Sequence, residues 1–203
     1  METAYTPAER WADGIIHALG VSFAVGAAVW LSIHSNGALS LTIYAMGLIA
    51  MLSASAAYNL WEGPGKELLR RIDHAMIFVM IAGTYTPFVV LRLPAGTATW
   101  LGAIVWCGAM AGVVLKLLFP RRFERISIAL YIGLGWAVVT VFDPLTETVA
   151  RSTLDFLVAG GILYTAGVPI CMAHRLPFHN AAWHACVLAA AICHFISISG
   201  EFT

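Results

Sequence analysis

Seven long apolar runs constrain this chain more than any other feature. They span about Gly14–Ile33, Leu39–Leu60, Ile72–Leu91, Thr97–Leu118, Ile126–Phe142, Leu154–Met172 and Ala182–Ser199, each about 17 to 22 residues long. At 1.5 Å rise per residue, a helix of that length crosses roughly 30 Å of hydrocarbon. Such runs must either fill a very large soluble core or face lipid, and composition decides between the two. Of 203 residues, 60% are hydrophobic and 11% charged, against roughly 25% charged in an ordinary soluble domain. That is too little charge to cover a water-facing surface. The expectation is an all-α polytopic membrane protein, one seven-transmembrane-helix bundle over residues 1–203. Outer-membrane barrels are excluded, because their strands alternate over about ten residues. A formal net charge of zero gives no basis for nucleic-acid binding, and the expected partners are membrane lipids. Cys107, Cys171, Cys186 and Cys193 lie in apolar runs with no CxxC pair, so they read as small packing residues.

Short polar stretches divide the runs: Ser35-Asn36-Gly37, Glu62-Gly63-Pro64-Gly65, Leu93-Pro94-Ala95-Gly96, Phe119-Pro120 and Asp143-Pro144. Connections this short make neighbours antiparallel. Met1–Trp11 is polar and mixed in charge, without the pattern of a cleavable signal peptide. Charge then orients the bundle. With the N-terminus in the cytoplasm, the inner side carries Arg10, Lys66, Arg70, Arg71, Lys116, Arg121, Arg122, Arg125 and Arg175, and the outer side only Arg92 and Arg151. This asymmetry predicts an inside N-terminus and, with seven spans, an outside C-terminus. The expected location is the plasma (inner) membrane.

Ionisable groups inside a span cost about 2.5 kcal/mol or more and tend to face the bundle interior. Here they gather at the inner ends of the first, second, third and seventh spans. Glu9, Asp13 and His17 stack on one face of the first helix. They are read either as helix-start acids plus a core histidine or as a face supporting a polar site. Ser55 and Asn59 share a face of the second helix, as do Asn180 and His184 on the last. Asp73 opens the third helix as an interfacial acid, a cation ligand or a general acid/base, and Pro87 frees the Gly83 carbonyl further along. His174 and His179 read as loop or interface residues, and His194 as a buried, hydrogen-bonded histidine near mid-membrane. Gly108 and Gly112, a G-x-x-x-G pattern on the fourth helix, offer a face either to a second copy in an oligomer or to packing within the chain, and the latter is the expectation.

Taken together, Glu9-x3-Asp13-x3-His17-x2-Gly20, Ser55-x2-Tyr58-Asn59, Arg70-Arg71-x-Asp73-His74, Ala82-Gly83-Thr84-Tyr85-Thr86-Pro87 and Asn180-x2-Trp183-His184 with Cys193-His194-Phe195 form a specific set. The set resembles the hemolysin III branch of the progestin and adipoQ receptor family, relatives of the adiponectin receptors and, more distantly, of the alkaline ceramidases. The resemblance covers nearly the whole chain. It implies a zinc ion near the cytoplasmic face, held by a histidine on the second helix and two on the seventh, with a serine and an aspartate beside it. Carried over, the serine is Ser55, the aspartate is Asp73, and the ligand positions are Asn59, Asn180 and His184. Two of the three ligand histidines are therefore asparagine. Zinc sites use His, Cys or carboxylate. That leaves three options open: zinc, a hard cation preferring oxygen ligands, and a metal-free hydrogen-bonded core of Asn59, Asp73, Asn180 and His184.

The functional expectation is a sensor or regulator of membrane lipid state with a polar site at the cytoplasmic face. The alternative enzyme is a metal-dependent, ceramidase-like hydrolase of lipid amides, with Asp73 activating water and Ser55 stabilising the oxyanion. Cytolytic or pore-forming activity and a proton relay through His17, Asp73, His184 and His194 complete the set.

Overall fold

The computed structural model describes residues 6–119 and 121–203. Residues 1–5 of the predicted polar stretch Met1–Trp11, and Pro120 of the predicted Phe119-Pro120 loop, lie outside the described residues. The helices are α1 (Pro7–His34), α2 (Leu39–Leu60), α3 (Lys66–Leu91), α4 (Ala95–Leu118), α5 (Glu124–Gly135), α6 (Phe142–Thr148), α7 (Arg151–Met172) and α8 (His179–Phe202). A 3₁₀ segment, Trp136–Val141, joins α5 to α6. Among the described residues seven helical stretches are long and apolar enough to cross a membrane, the fifth being Glu124–Thr148.

Several helices begin before the apolar runs do. At α1 the cause is local. Thr6 caps the helix, its hydroxyl accepting from the Glu9 amide while the Glu9 carboxylate accepts from the Thr6 amide, and Pro7 follows in the first turn. This capping box supplies partners for amides that lack intrahelical acceptors. The buried face of α1 is a narrow stripe of Asp13, His17, Gly20, Ala24, Ala27 and Leu31, at three- and four-residue spacing. Ile15, Leu19, Val25, Val29 and Ile33 face outward, as lipid contact requires. At α3 the extension carries ion pairs. Glu67 binds Arg70 and Arg121, and Glu124 binds Arg70 and Lys116.

The fifth span differs from its expectation. Asp143 and Pro144 do not form a loop; they sit in the first turn of α6, and the chain turns at Val149 and Ala150 instead. Proline fits a first turn because its missing amide had no helical partner there. The break in this span has a visible cause in Tyr85 of α3. Its hydroxyl donates to the Leu134 and Gly135 carbonyls, at 3.0 and 2.8 Å, and accepts from the Val138 amide at 2.7 Å. One side chain thus binds three backbone groups at the point where the α-helix gives way to the 3₁₀ segment.

The helices form a ring with one weak side. Their order around it is α3, α2, α1, α8, α7, with α4 outside α3 and α5 against α3 and α4. Among the described residues the extensive packing partner of α7 is α8 alone. Between α7 and the fifth span, the Trp136 indole donates to Thr165 Oγ1 at 3.0 Å. Packing elsewhere is close. A Cβ on Gly112 would lie 2.4 Å from the Phe78 ring and one on Gly108 2.8 Å from Leu134, so both glycines serve contacts within the chain. Far from most of the basic residues, Glu201 ties three helices: it accepts from Arg92 Nε at 2.6 Å, Thr153 Oγ1 at 2.8 Å and the Ala150 amide at 3.1 Å.

These contacts set two expectations for stability. Gly112→Ala forces the Phe78 ring aside and lowers unfolding free energy in detergent by about 1–3 kcal/mol. Glu201→Gln removes the charge that Arg92 and two further donors share, and costs about 2 kcal/mol by the same measurement. An unchanged denaturation midpoint for either variant contradicts the packing described.

Candidate functional site

The polar residues meet at the end of the bundle that carries most of the basic side chains. The capping geometry of α1 is coupled to the start of α8. Glu9 Oε1 accepts from the Phe178 amide at 2.8 Å, and Phe178 stands in the left-handed conformation just before α8. This link sets the first turn of α8 beside α1 and faces Asn180 and His184 toward Asp13.

Four side chains then close a ring of hydrogen bonds. His184 Nδ1 meets Asp13 Oδ1 at 2.6 Å. Asn59 Nδ2 lies 3.4 Å from His184 Nε2. Asn180 Nδ2 donates to Asn59 Oδ1 at 3.2 Å and to Asp13 Oδ2 at 3.4 Å. With the imidazole proton on Nδ1, facing the Asp13 carboxylate, Nε2 is left to accept from Asn59. The second amide hydrogen of Asn59 goes to the Ser55 carbonyl at 2.9 Å. The ring has one short charge-assisted link, between Asp13 and His184, and three longer ones. Asp13 and His184 are buried, and Asn59 and Asn180 half-buried.

Beside this ring runs a cavity of about 1110 Å³. Ser55, Asn59, Asp73, Asn180 and His184 all line it. Asp73 is buried and faces the Ser55 hydroxyl, standing next to the ring rather than in it. The walls beyond are mostly apolar, and the cavity reaches Phe88, Leu145 and Leu154 near the opposite end. From Asp73 to Phe88 along α3 that is about 22 Å at 1.5 Å per residue. Ile132 and Val139 of the fifth span and Val158 and Val168 of α7 line its weakly packed side. His194 lines the cavity too, its Nε2 3.3 Å from the Leu157 carbonyl. His179 is the first residue of α8, and its ring packs edge-on against His174.

Asp13 and His17 matter more than their spacing alone conveyed. They belong to a cluster in which one donor atom each of Asp13, His17 and His184 lies within 4.8 Å of the others. The signal was present in the four-residue repeat of Glu9, Asp13 and His17, but one helix cannot reveal which other helix it faces. The zinc set that the family resemblance implies fits poorly here. Asn59 and Asn180 direct amide hydrogens toward His184 Nε2 and Asp13. A cation placed among them would meet those hydrogens, and a single imidazole would remain as a nitrogen ligand.

Comparison with known proteins agrees with the fold and the motifs. A family model described as Haemolysin-III related matches residues 6–195. A hemolysin-3 homolog of Bacillus subtilis (strain 168) is 32% identical over 201 residues, covering 96% of this chain and 94% of the relative. Hemolysin-3 of Bacillus cereus is 31% identical over 197 residues, covering 94% and 90%. The human monocyte to macrophage differentiation factor is 27% identical over 166 residues, covering 77% of this chain and 67% of that protein. Matched along most of its length, with the seven apolar helices such a protein needs, the chain belongs to the haemolysin-III-related family of multi-pass membrane proteins, the hemolysin III branch of the progestin and adipoQ receptors.

Proposed function

We propose that the protein binds a single-chain or double-chain lipid within its helix bundle and acts as a sensor or regulator of membrane lipid state. The observation that carries this reading is the cavity of about 1110 Å³, apolar along its length and polar at one end. A long acyl chain fits apolar walls, and a polar head needs hydrogen-bond partners at the end where the chain stops. Ser55 and Asp73, which stand beside the ring, offer such partners in a hydroxyl and a carboxyl group. The weak side between the fifth span and α7 gives a lipid a route from the bilayer that does not cross water. Nine of the 11 basic residues fall on one side of the spans, so the polar site lies at the cytoplasmic face of the plasma membrane, with the C-terminus outside.

A second reading has one observation in its favour. Asp73 is buried, lines the cavity and stands beside Ser55 outside the hydrogen-bond ring. In a lipid-amide hydrolase Asp73 takes a proton from an attacking water, and the Ser55 hydroxyl donates to the developing oxyanion.

Two measurements separate these readings, and a third tests the orientation. Native mass spectrometry of protein released gently from membranes shows a bound lipid, and the double variant Val168→Trp/Ile132→Trp, which narrows the weakly packed side of the cavity, holds much less of it while the fold persists. A wild-type protein free of lipid, or undiminished lipid in the double tryptophan variant, rejects the lipid reading. Release of fatty acid from a ceramide-like substrate, abolished in Asp73→Ala, establishes the hydrolase instead. Alkaline phosphatase fused after Thr203 is active and after Arg122 inactive; the reverse pattern overturns the orientation.

A further inference from the structure

We infer that the protein carries a divalent transition-metal site of the zinc class formed by Asp13, His17 and His184, which keeps one ligand position of the family, His184, and takes its other two donors from the first helix. The site joins the first helix to the last. It stands apart from the lipid reading and survives if that reading fails.

The donors converge without any help from the two asparagines. Asp13 Oδ1 is 2.6 Å from His184 Nδ1 and 3.6 Å from His17 Nε2. The two imidazole rings lie 4.4 Å apart, centroid to centroid, tilted by 54°. Asp13 is 2% exposed, His17 4% and His184 8%.

The second observation is a polar atom left over. Among the described residues His17 Nε2 is buried with no hydrogen-bond partner. At 3.6 Å, Asp13 Oδ1 is beyond an ordinary hydrogen bond but directly opposite. An unsatisfied buried nitrogen costs about 1–3 kcal/mol, so this arrangement is incomplete as a purely hydrogen-bonded one. A small cavity of about 10 Å³, lined by His17, His184, Gly20 and Ser55, adjoins it.

The chemistry of the donors selects the ion. Two imidazoles and one carboxylate match zinc and its first-row neighbours, while calcium and magnesium take oxygen ligands almost throughout. Tetrahedral coordination at about 2.0–2.1 Å places donors roughly 3.4 Å apart. The Asp13–His17 separation already has that value within a few tenths of an ångström. The Asp13–His184 pair opens by under about 1 Å as the ion takes the place of the Nδ1 proton, which is released. Asn59 and Asn180 then acquire a defined role. The amide of Asn59 faces His184 Nε2 and that of Asn180 faces Asp13 Oδ2, the positions from which outer hydrogen bonds orient a ligating histidine and carboxylate. Substitution at the family's ligand positions has moved these two residues from holding an ion to supporting the side chains that hold one.

The test is metal analysis of protein purified in detergent, stripped with chelator and reloaded with zinc alone. Wild type retains about one equivalent through gel filtration and gains thermal stability with added zinc. His17→Gln binds about a hundredfold more weakly or worse, whereas Asp73→Asn, beside the ring, keeps the ion. Zinc retained in His17→Gln but lost in Asp73→Asn places the ion at the family's position and overturns the assignment, as does wild type that holds no zinc. Because a His17 variant can fail to fold, nitrogen-labelled histidine is followed by NMR in wild type. Added zinc shifts the His17 Nε2 and His184 Nδ1 resonances, and their constancy overturns the proposal without any variant.

Discussion

A carboxylate held away from water inside a membrane bundle is expensive unless its charge is shared, and Asp13 is 2% exposed. The residues around it are arranged to share that charge. His184 meets one carboxylate oxygen at 2.6 Å, and Asn180 approaches the other at 3.4 Å. Those partners sit on the last helix, so satisfying a charge on the first closes the bundle. The same end of α1 supplies Glu9, one of whose oxygens fixes Phe178 just ahead of α8. One acid at the helix start and one buried acid, a turn apart, therefore hold α1 and α8 in a single register.

That closure leaves the strain of the architecture elsewhere. Four helices are drawn to one end by polar contacts, and α3 and α4 interlock at Gly112 against the Phe78 ring. Between α7 and the fifth span, the Trp136 indole donates to Thr165 across the weak side. The fifth span is also the one whose helix is broken and spliced by Tyr85. A span whose helix is interrupted, facing a helix packed chiefly on α8, forms the least tied side of the bundle. The cavity follows that seam from Ser55 and Asp73 to Phe88.

Much of this was legible in the sequence, and the reason is periodicity and length. Runs long enough to cross hydrocarbon fix the number of spans, and short Gly/Pro/Asn stretches fix antiparallel neighbours. The depth of each polar residue along its span already brought Ser55, Asn59, Asp73, Asn180 and His184 to one end. Helix starts were less legible from hydropathy, since Thr6 to Glu9 is polar and still opens a helix; the capping box there is a local signal that an apolar run does not contain. Asp143-Pro144 misled because proline stops a helix from its middle but begins one readily. The break at Trp136–Val141 depends on Tyr85, some fifty residues away, and no local pattern announces it. Asp13 and His17 showed a shared face, but their partner across the bundle is a tertiary fact.

The two asparagines are better understood through what an amide can do than through what it cannot. Asn59 donates toward His184 Nε2 and to the Ser55 carbonyl while accepting from Asn180, three directions served by one side chain. A neutral imidazole at that position offers one donor and one acceptor, and cannot serve all three. Asn180 in turn gives two hydrogens, one to Asn59 and one to Asp13. With histidine there, a single ring hydrogen would leave either the amide oxygen or the carboxylate short of a partner. The substitutions therefore complement a buried aspartate on α1, and the two facts are one arrangement: a chain with Asp13 in this place needs donors around it, Asn180 and His184 supply them, and Asn59 holds both of those side chains in place.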